Sequence, residues 1–419
     1  MRPRSLNPQR QQSSPARRAA VAVFALGLTL AATACAGHRT GTAGPQSSTN
    51  PAVTSPSTAP ATSPVPSGTA AVTGTWHMLP KAPLAASGYE AVWTGKEMLL
   101  YQPNLALDAD RPTTGSIGAG YDPTTDTWRT LPSNGLPVAS VEGGYHAVWD
   151  GTEMLTWGMQ NAAYNPATNR WRALGGPGLY APSVVVWTGR QVLMWGGGCC
   201  GDFQNRGAAY TPATNAWQPL PAAPLTGRHT SGAWTGSELV LVGGYNEEEG
   251  ALADAAAYSP TTRAWRKLPS MPAVRMEATA TWTGTEVLVV GGTGADLSVP
   301  SADALAYNPA TDRWRSLPSM GGSRVGHVSV WTGDRLLVWG GKTIVKPPSA
   351  QNAAAYRTPA HGMAYDPAAN RWSPMPAAPL RARGGARASW TGNVMLIWGG
   401  YSFDDPPAVL ADGAAYRPA

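Results

Sequence analysis

Three histidines invite a metal reading. His146, His229 and His327 stand three, five and four residues before a tryptophan in similar local contexts, and a metal ion could be held if they converged. Along an extended chain alternate residues face opposite ways, which turns His327 away from the other two and predicts separate polar linings. Gly341-Lys342-Thr343 has the ending of a phosphate-binding loop, but Leu336 stands where the first glycine is required and no helical pattern follows. Glu247-Glu248-Glu249 could hold a cation and reads as a solvated acidic run. Cys199 and Cys200 are adjacent, whereas a zinc pair wants a spacer of two to four residues and two further ligands. In an oxidising compartment they are expected to form a vicinal disulfide, with two free thiols or pairing to another chain as the alternatives. No cofactor and no metal site is expected.

The residues that remain are better placed for recognition. Arg228, Arg275, Arg324 and Arg383 each stand six or seven residues before a tryptophan. Asp254, Asp303 and Asp412 each stand four residues before a tyrosine, with Arg206 and His361 at the matching place elsewhere. Arginine and aspartate at such positions either meet a ligand or pair with each other to tie neighbouring units together.

The elements that position these groups recur along the chain. Trp-Thr-Gly or Trp-Asp-Gly occurs at Trp93, Trp149, Trp187, Trp234, Trp282, Trp331 and Trp390. A Tyr-x-Pro…Trp signal pairs Tyr121 with Trp128, Tyr164 with Trp171, Tyr210 with Trp217, Tyr258 with Trp265, Tyr307 with Trp314 and Tyr365 with Trp372. A seventh copy begins at Tyr416, and its missing tryptophan stands at the other end, as Trp76. An N-terminal strand that completes the last unit is how a ring of sheets closes, whereas an open solenoid would need caps. In the copy around Trp282, strand A ends at that tryptophan, Val287 to Val290 is strand B, Leu305 to Tyr307 is strand C, and strand D carries Trp314. Apolar runs of four to six residues cut by glycine and proline fit strands and are too short for helices.

The double glycine after strand B, the Tyr-Asp/Asn-Pro, the tryptophan beyond it and the following Leu-Pro resemble the Kelch repeat. From Thr75 to Ala419 is 345 residues, about 49 for each of seven copies, near the ~50 of Kelch blades. The resemblance implies an all-β fold, a seven-bladed β-propeller of four strands per blade closed by the N-terminal strand. It also implies that Arg228, Arg275, Arg324 and Arg383 line a partner-binding mouth, as arginines at this place do in Kelch adaptor proteins.

All 18 tryptophans fall on repeat positions: seven before the A-to-B turn, seven on strand D, and Trp157, Trp195, Trp339 and Trp398 before the glycine that closes strand B. They read as core between blades. The surplus aromatics, including Tyr89, Tyr101, Tyr145, Tyr180, Tyr245, Tyr356, Tyr401, Phe203 and Phe403, lie in or beside D-to-A and B-to-C connections. Antiparallel alternation puts those connections at one end of the ring. There the loops vary, from five residues between Gly158 and Tyr164 to 23 between Gly341 and Tyr365, while the opposite end is uniform. Function gathers where loops vary on a rigid scaffold. The expected ligand-binding set is therefore the four arginines, Tyr89, Tyr145, Tyr245, Tyr401, Asp254, Asp303, Asp412 and His361.

Residues 1–34 read as a signal peptide, with five arginines before an apolar stretch, Ala19 to Ala32, too short to span a bilayer. Ala32-Thr33-Ala34-Cys35 resembles a bacterial lipobox, with Ala32 where leucine is usual, so Cys35 is expected to carry lipid; an ordinary signal peptidase would cut the same bond. Residues 35–72, rich in Ser, Thr, Pro and Ala, read as a flexible tether, and 73–419 as the propeller. The chain carries 31 basic and 25 acidic residues, a net +6. Taking away the five arginines of the signal leaves about +1, so the basic balance is no argument for nucleic acid.

A monomer is expected, exported and anchored outside the cytoplasm by lipid alone. The leading function is a binding module for a glycan or an envelope or extracellular protein. The alternative is a sugar-active enzyme, like the sialic-acid epimerases or, less closely, the galactose oxidase that also use Kelch propellers. The oxidase needs a tyrosine cross-linked to a lone cysteine and two histidines, and this chain offers only an adjacent cysteine pair. An epimerase would draw on Arg275, Arg324, Arg383 and His361.

Overall fold

A computed structural model describes residues 71–85, 88–104, 114–138, 145–179, 181–199, 202–295, 301–346, 355–359, 361–402 and 406–419. The signal peptide, Cys35, almost all of the tether and Cys200 lie outside the described residues, as do Tyr180 and Phe403.

The chain forms a seven-bladed β-propeller, and the described residues contain no α-helix. We letter the strands of each blade A to D from the channel outwards. Blade 5 shows the plan: Thr279–Trp282, Val287–Val290, Ala304–Asn308 and Arg313–Leu317 pair in that order, all antiparallel. Blade 7 takes strands A to C from Arg387–Trp390, Met395–Trp398 and Gly413–Pro418, and its strand D is the N-terminal Gly74–Met78. Gly74 pairs with Pro418 and Trp76 with Tyr416, so the ring closes as the split repeat predicts.

The repeated residues do identifiable work. Seven buried apolar clusters fill the seven seams between neighbouring blades. Strand B is buried throughout, as in Val287–Val290, because both of its faces meet another blade. Each strand-D tryptophan donates its indole N–H to a carbonyl just beyond strand D of the preceding blade: Trp128 to Pro80, Trp171 to Pro132, Trp217 to Gly175, Trp265 to Pro221, Trp314 to Pro269, Trp372 to Pro318 and Trp76 to Pro376. Leu-Pro recurs after strand D because this carbonyl must be presented to the next blade. Trp157, Trp195 and Trp398 pack edge-on against the strand-D tryptophan of the following blade, at 5.9, 6.2 and 4.8 Å.

The C-to-D turn has its own device. Tyr121, Tyr164, Tyr210, Tyr307 and Tyr365 each donate the phenol O–H to an Asp or Asn five residues on, at 2.6 to 2.9 Å. That residue sits in the left-handed region, for example Asp312 at φ 53° and Asn169 at φ 55°. Asp and Asn tolerate this backbone better than other non-glycine residues, which explains the Pro-x-Thr-Asn/Asp signature. Blade 4 breaks the pattern by placing Arg263 there, at φ 54°.

Candidate functional site at the loop face

Where strand A begins, the chain runs against strand B and the glycines that close it. A Cβ on Gly244 would lie 2.0 Å from the His229 carbonyl oxygen, and one on Gly197 would lie 1.9 Å from that of Ala181. Only glycine permits this approach. The freed N–H groups are then used to join blades. Gly197 donates to the Arg228 carbonyl, Gly244 to that of Arg275, Gly292 to Arg324 and Gly341 to Arg383, at 2.8 to 3.0 Å.

Each of these arginines therefore accepts from the blade before it, and its side chain turns into its own blade. Arg275 Nη1 donates to the carbonyls of Gly291 and Asp303 at 3.0 and 3.2 Å. Arg324 Nη1 does the same to Gly340 and His361, both at 3.2 Å. Arg383 Nη1 reaches Gly399 and Asp412 at 3.1 and 3.3 Å and meets the Asp412 carboxylate at 2.7 Å. Arg228 pairs with the Asp254 carboxylate, Nη2 to Oδ2 at 3.2 Å. One residue thus joins the end of strand B and the start of strand C across successive blades.

This corrects the reading of the arginines as ligand contacts. Arg228, Arg275, Arg324 and Arg383 are 0, 3, 1 and 0 % exposed, and they brace the mouth from beneath. They pair within their own blade, and the link to the neighbour runs through the backbone. Tyr89 is corrected for the same reason. It is 3 % exposed in the seam between blades 7 and 1, and burial pushes its phenol up to about 12.

The rest of the expected set divides. Tyr145 donates its O–H to the Gly88 carbonyl and packs edge-on to Tyr101 at 6.3 Å. Tyr245 is half-buried and meets Phe203 edge-on at 6.3 Å, while Phe203 meets the His229 ring at 5.5 Å. Blades 3 and 4 thereby gather one aromatic group at the mouth. Tyr401 belongs to a separate hairpin over blade 7, Tyr401–Ser402 with Ala408–Val409. Asp303 is exposed, Asp254 and Asp412 are partly exposed against their arginines, and His361 is half-buried. Burial and Arg324 lower the basicity of His361. The Cys199–Cys200 pairing falls outside the described residues.

The central channel holds an open cavity of about 460 Å³ lined by A-strand residues of blades 2 to 7, among them His146, Ser231, Thr281, His327, Ser329 and Arg387. Its polar side chains join neighbouring blades. Thr279 Oγ1 meets His327 Nε2 at 3.0 Å, Thr281 Oγ1 meets Ser329 Oγ at 2.9 Å, and Ser231 Oγ donates to the Ala278 carbonyl at 2.6 Å. Arg387 and Glu90 close the ring with a bidentate pair at 2.7 and 3.2 Å, and the Glu90 charge holds the Arg387 guanidinium above its usual value. His146 hydrogen-bonds forward to the backbone of Pro182 in blade 3, and His327 reaches back to blade 5, the opposition that alternation predicts. His229 departs from it. A bulge between His229 and Ser231 reverses the alternation, and His229 turns back to the Gly198 backbone. Among the described residues no group of three His, Cys, Asp or Glu side chains is placed to hold a metal ion.

Sequence reasoning missed two arrangements. Arg129, Arg172, Arg266 and Arg315, each directly after a strand-D tryptophan, pair with Glu97, Glu153, Glu238 and Glu286 of their own blade. The signal was there, since each glutamate stands four residues after the tryptophan of Trp-[Thr/Asp]-Gly. The Glu90–Arg387 pair had no such signal, because it joins A strands 297 residues apart.

A family model for the Attractin/LZTR1 β-propeller matches residues 159–404. The match begins directly after Gly158, so it leaves out blade 1 and the start of blade 2, the two blades without a double glycine. No curated protein matches the chain. On a match that spans more than half of its length, the chain belongs to the Attractin/LZTR1 β-propeller family.

Proposed function

We propose that this chain is a binding module of the cell envelope. Residues 1–34 direct export, Cys35 carries the lipid, residues 35–72 hold the propeller away from the membrane, and the loop face takes a glycan or protein partner. The observation that carries the reading is the contrast within that face. Its buried arginines are turned into the fold, while Phe203 and Tyr245 stand half-buried at the mouth of blades 3 and 4. Half-buried tyrosines offer a flat apolar face for stacking and a hydroxyl for orientation, the usual means of holding a sugar ring or a protein side chain.

Glycan arrays and pull-downs with the purified full-length chain test this. A hit lost in Tyr245→Ala, with the melting temperature unchanged, supports the module. Blank arrays and blank pull-downs overturn it.

A sugar-active enzyme is the second reading. The Glu90–Arg387 pair between neighbouring A strands favours it, because a charged pair beside a channel is a common start for acid–base chemistry. The burial of Arg275, Arg324 and Arg383 removes three of the residues that reading would have used.

A further inference from the structure

Among the described residues, polar side chains cross six of the seven seams at the turn end of the ring. In blades 1, 2, 4 and 5 the arginine after the strand-D tryptophan makes the crossing. Arg129 holds Glu97 of its own blade at 2.7 and 2.8 Å and donates to the Tyr164 hydroxyl of blade 2 at 2.8 Å. Arg172 hydrogen-bonds Tyr210 of blade 3. Arg266 reaches Tyr307 and Asp312 at 3.3 and 3.2 Å, and Arg315 reaches Asn370 at 3.5 Å. Between blades 3 and 4 the direction reverses, with Arg263 donating to Gln218 at 2.9 Å. Between blades 7 and 1 His77 meets Asp126 at 3.2 Å.

The seam of blades 6 and 7 lacks both members of the pair. Ser373 follows Trp372 and is too short to cross, and Arg335 stands four residues after Trp331, where other blades place the glutamate. The Tyr416 hydroxyl of blade 7 turns to the Thr73 carbonyl at 3.3 Å. A cavity of about 310 Å³ opens here, bordered by Thr73, Arg335, Leu337, Trp390, Asn393 and Tyr416. Among the described residues no carboxylate stands at hydrogen-bond distance from the Arg335 guanidinium. Asp334 and Asp366 lie 3.7 and 4.0 Å away. Asp334 and Arg417 also border the cavity and cancel in charge. A guanidinium with an unfilled fork beside an apolar wall suits a carboxylate that carries an apolar body.

We propose that this cavity binds a small organic acid, with the carboxylate on Arg335 and the apolar body against Leu337 and Trp390. The Tyr416 hydroxyl and the Asn393 amide are then available to a polar substituent. The acid supplies what Glu97, Glu153, Glu238 and Glu286 supply to arginines in other blades. The volume lies at the low end of the ~300–1,000 Å³ of ligand pockets, so it takes a compact acid and excludes an oligosaccharide. The tether offers no substitute from within the chain, because residues 35–72 contain no Asp or Glu. The site lies at the opposite end of the ring from the loop face and does not depend on the binding-module reading.

Isothermal titration calorimetry on the purified full-length chain tests this with benzoate, butyrate, acetate, benzamide and inorganic phosphate. Benzoate should bind saturably and about tenfold more tightly than benzamide, which keeps the ring and lacks the charge. Acetate, which keeps the charge and lacks the body, should also bind more weakly than benzoate. Arg335→Gln should weaken benzoate by about tenfold at an unchanged melting temperature. The double variant Arg335→Glu, Ser373→Arg rebuilds the pair of the other blades, and it should lose binding while melting at or above the native temperature. If either variant melts lower, the ratio of benzoate to benzamide in the native protein decides. No saturable binding of benzoate or butyrate overturns the proposal, as does full binding in either variant. Phosphate or acetate binding as tightly as benzoate would mean an adventitious ion only, and overturns the organic-acid site.

Discussion

Blades 4 and 7 and blades 5 and 6 use the same arginine in two ways. In blades 4 and 7 a carboxylate from the start of strand C meets the guanidinium, Asp254 for Arg228 and Asp412 for Arg383. In blades 5 and 6 the corresponding carbonyls of Asp303 and His361 receive the same Nη1 donation, but the described bonds of the guanidinium end on backbone oxygens. Among the described residues, Nε of Arg275 and of Arg324 is buried without a partner. Burial depresses both of these arginines, and at Arg275 the Asp303 charge only partly opposes it. The backbone frame is constant and the electrostatic ending varies, so divergence within a repeated device is more informative than the device itself.

The comparison can be broken by removing the carboxylates. Asp254→Ala should cost about 3 kcal/mol in denaturant unfolding, because it strands the fully buried Arg228, with the partial exposure of Asp254 keeping the loss at the low end of the range. Asp303→Ala, at the same place in blade 5, should stay within about 0.5 kcal/mol. Equal losses would mean that the two endings do not differ energetically. Supplying the absent carboxylate is the complementary change. His361→Asp, whose carbonyl already receives Arg324, should raise stability by about 1 kcal/mol. No gain would show that the blade 6 mouth cannot bring a carboxylate onto the guanidinium.

The smallest effect belongs to the opposite end of the ring, where repetition is close to complete. Arg263→Asn would restore an acceptor for the Tyr258 hydroxyl at a left-handed position and should add about 0.5–1 kcal/mol, read as a higher denaturant midpoint. A loss would mean that the Arg263 side chain contributes something at the turn face that the repeat does not predict.

Much of the fold was legible because its residues act through local geometry. The tryptophan before the A-to-B turn, the tyrosine of the C-to-D turn and the double glycine each mark a backbone requirement within a few residues, and seven copies make the signal plain. The split repeat gave the ring closure, since Tyr416 needed a tryptophan and Trp76 needed a tyrosine. The site was less legible. Spacing placed the arginines correctly at the mouth end, but it carried no information on whether their heads turn outwards or inwards, and the structure turns them inwards. His229 escaped the alternation argument because a bulge of one residue reverses a side chain without altering composition.

The completion of blade 7 by Gly74–Met78 also has a mechanical side. The first strand of the propeller runs beside the last residues of the chain, with Ala419 donating to the Thr73 carbonyl and Val72 to that of Pro374. Any pull delivered through the residues before Val72 therefore reaches the ring at its own seam. It loads the outer strand of blade 7 and the indole bond from Trp76 to Pro376 before any other blade. Under load that strand should act as the fuse of the ring, and a cross-link between residues 74 and 418, which face each other in register, should raise the force at which it gives way.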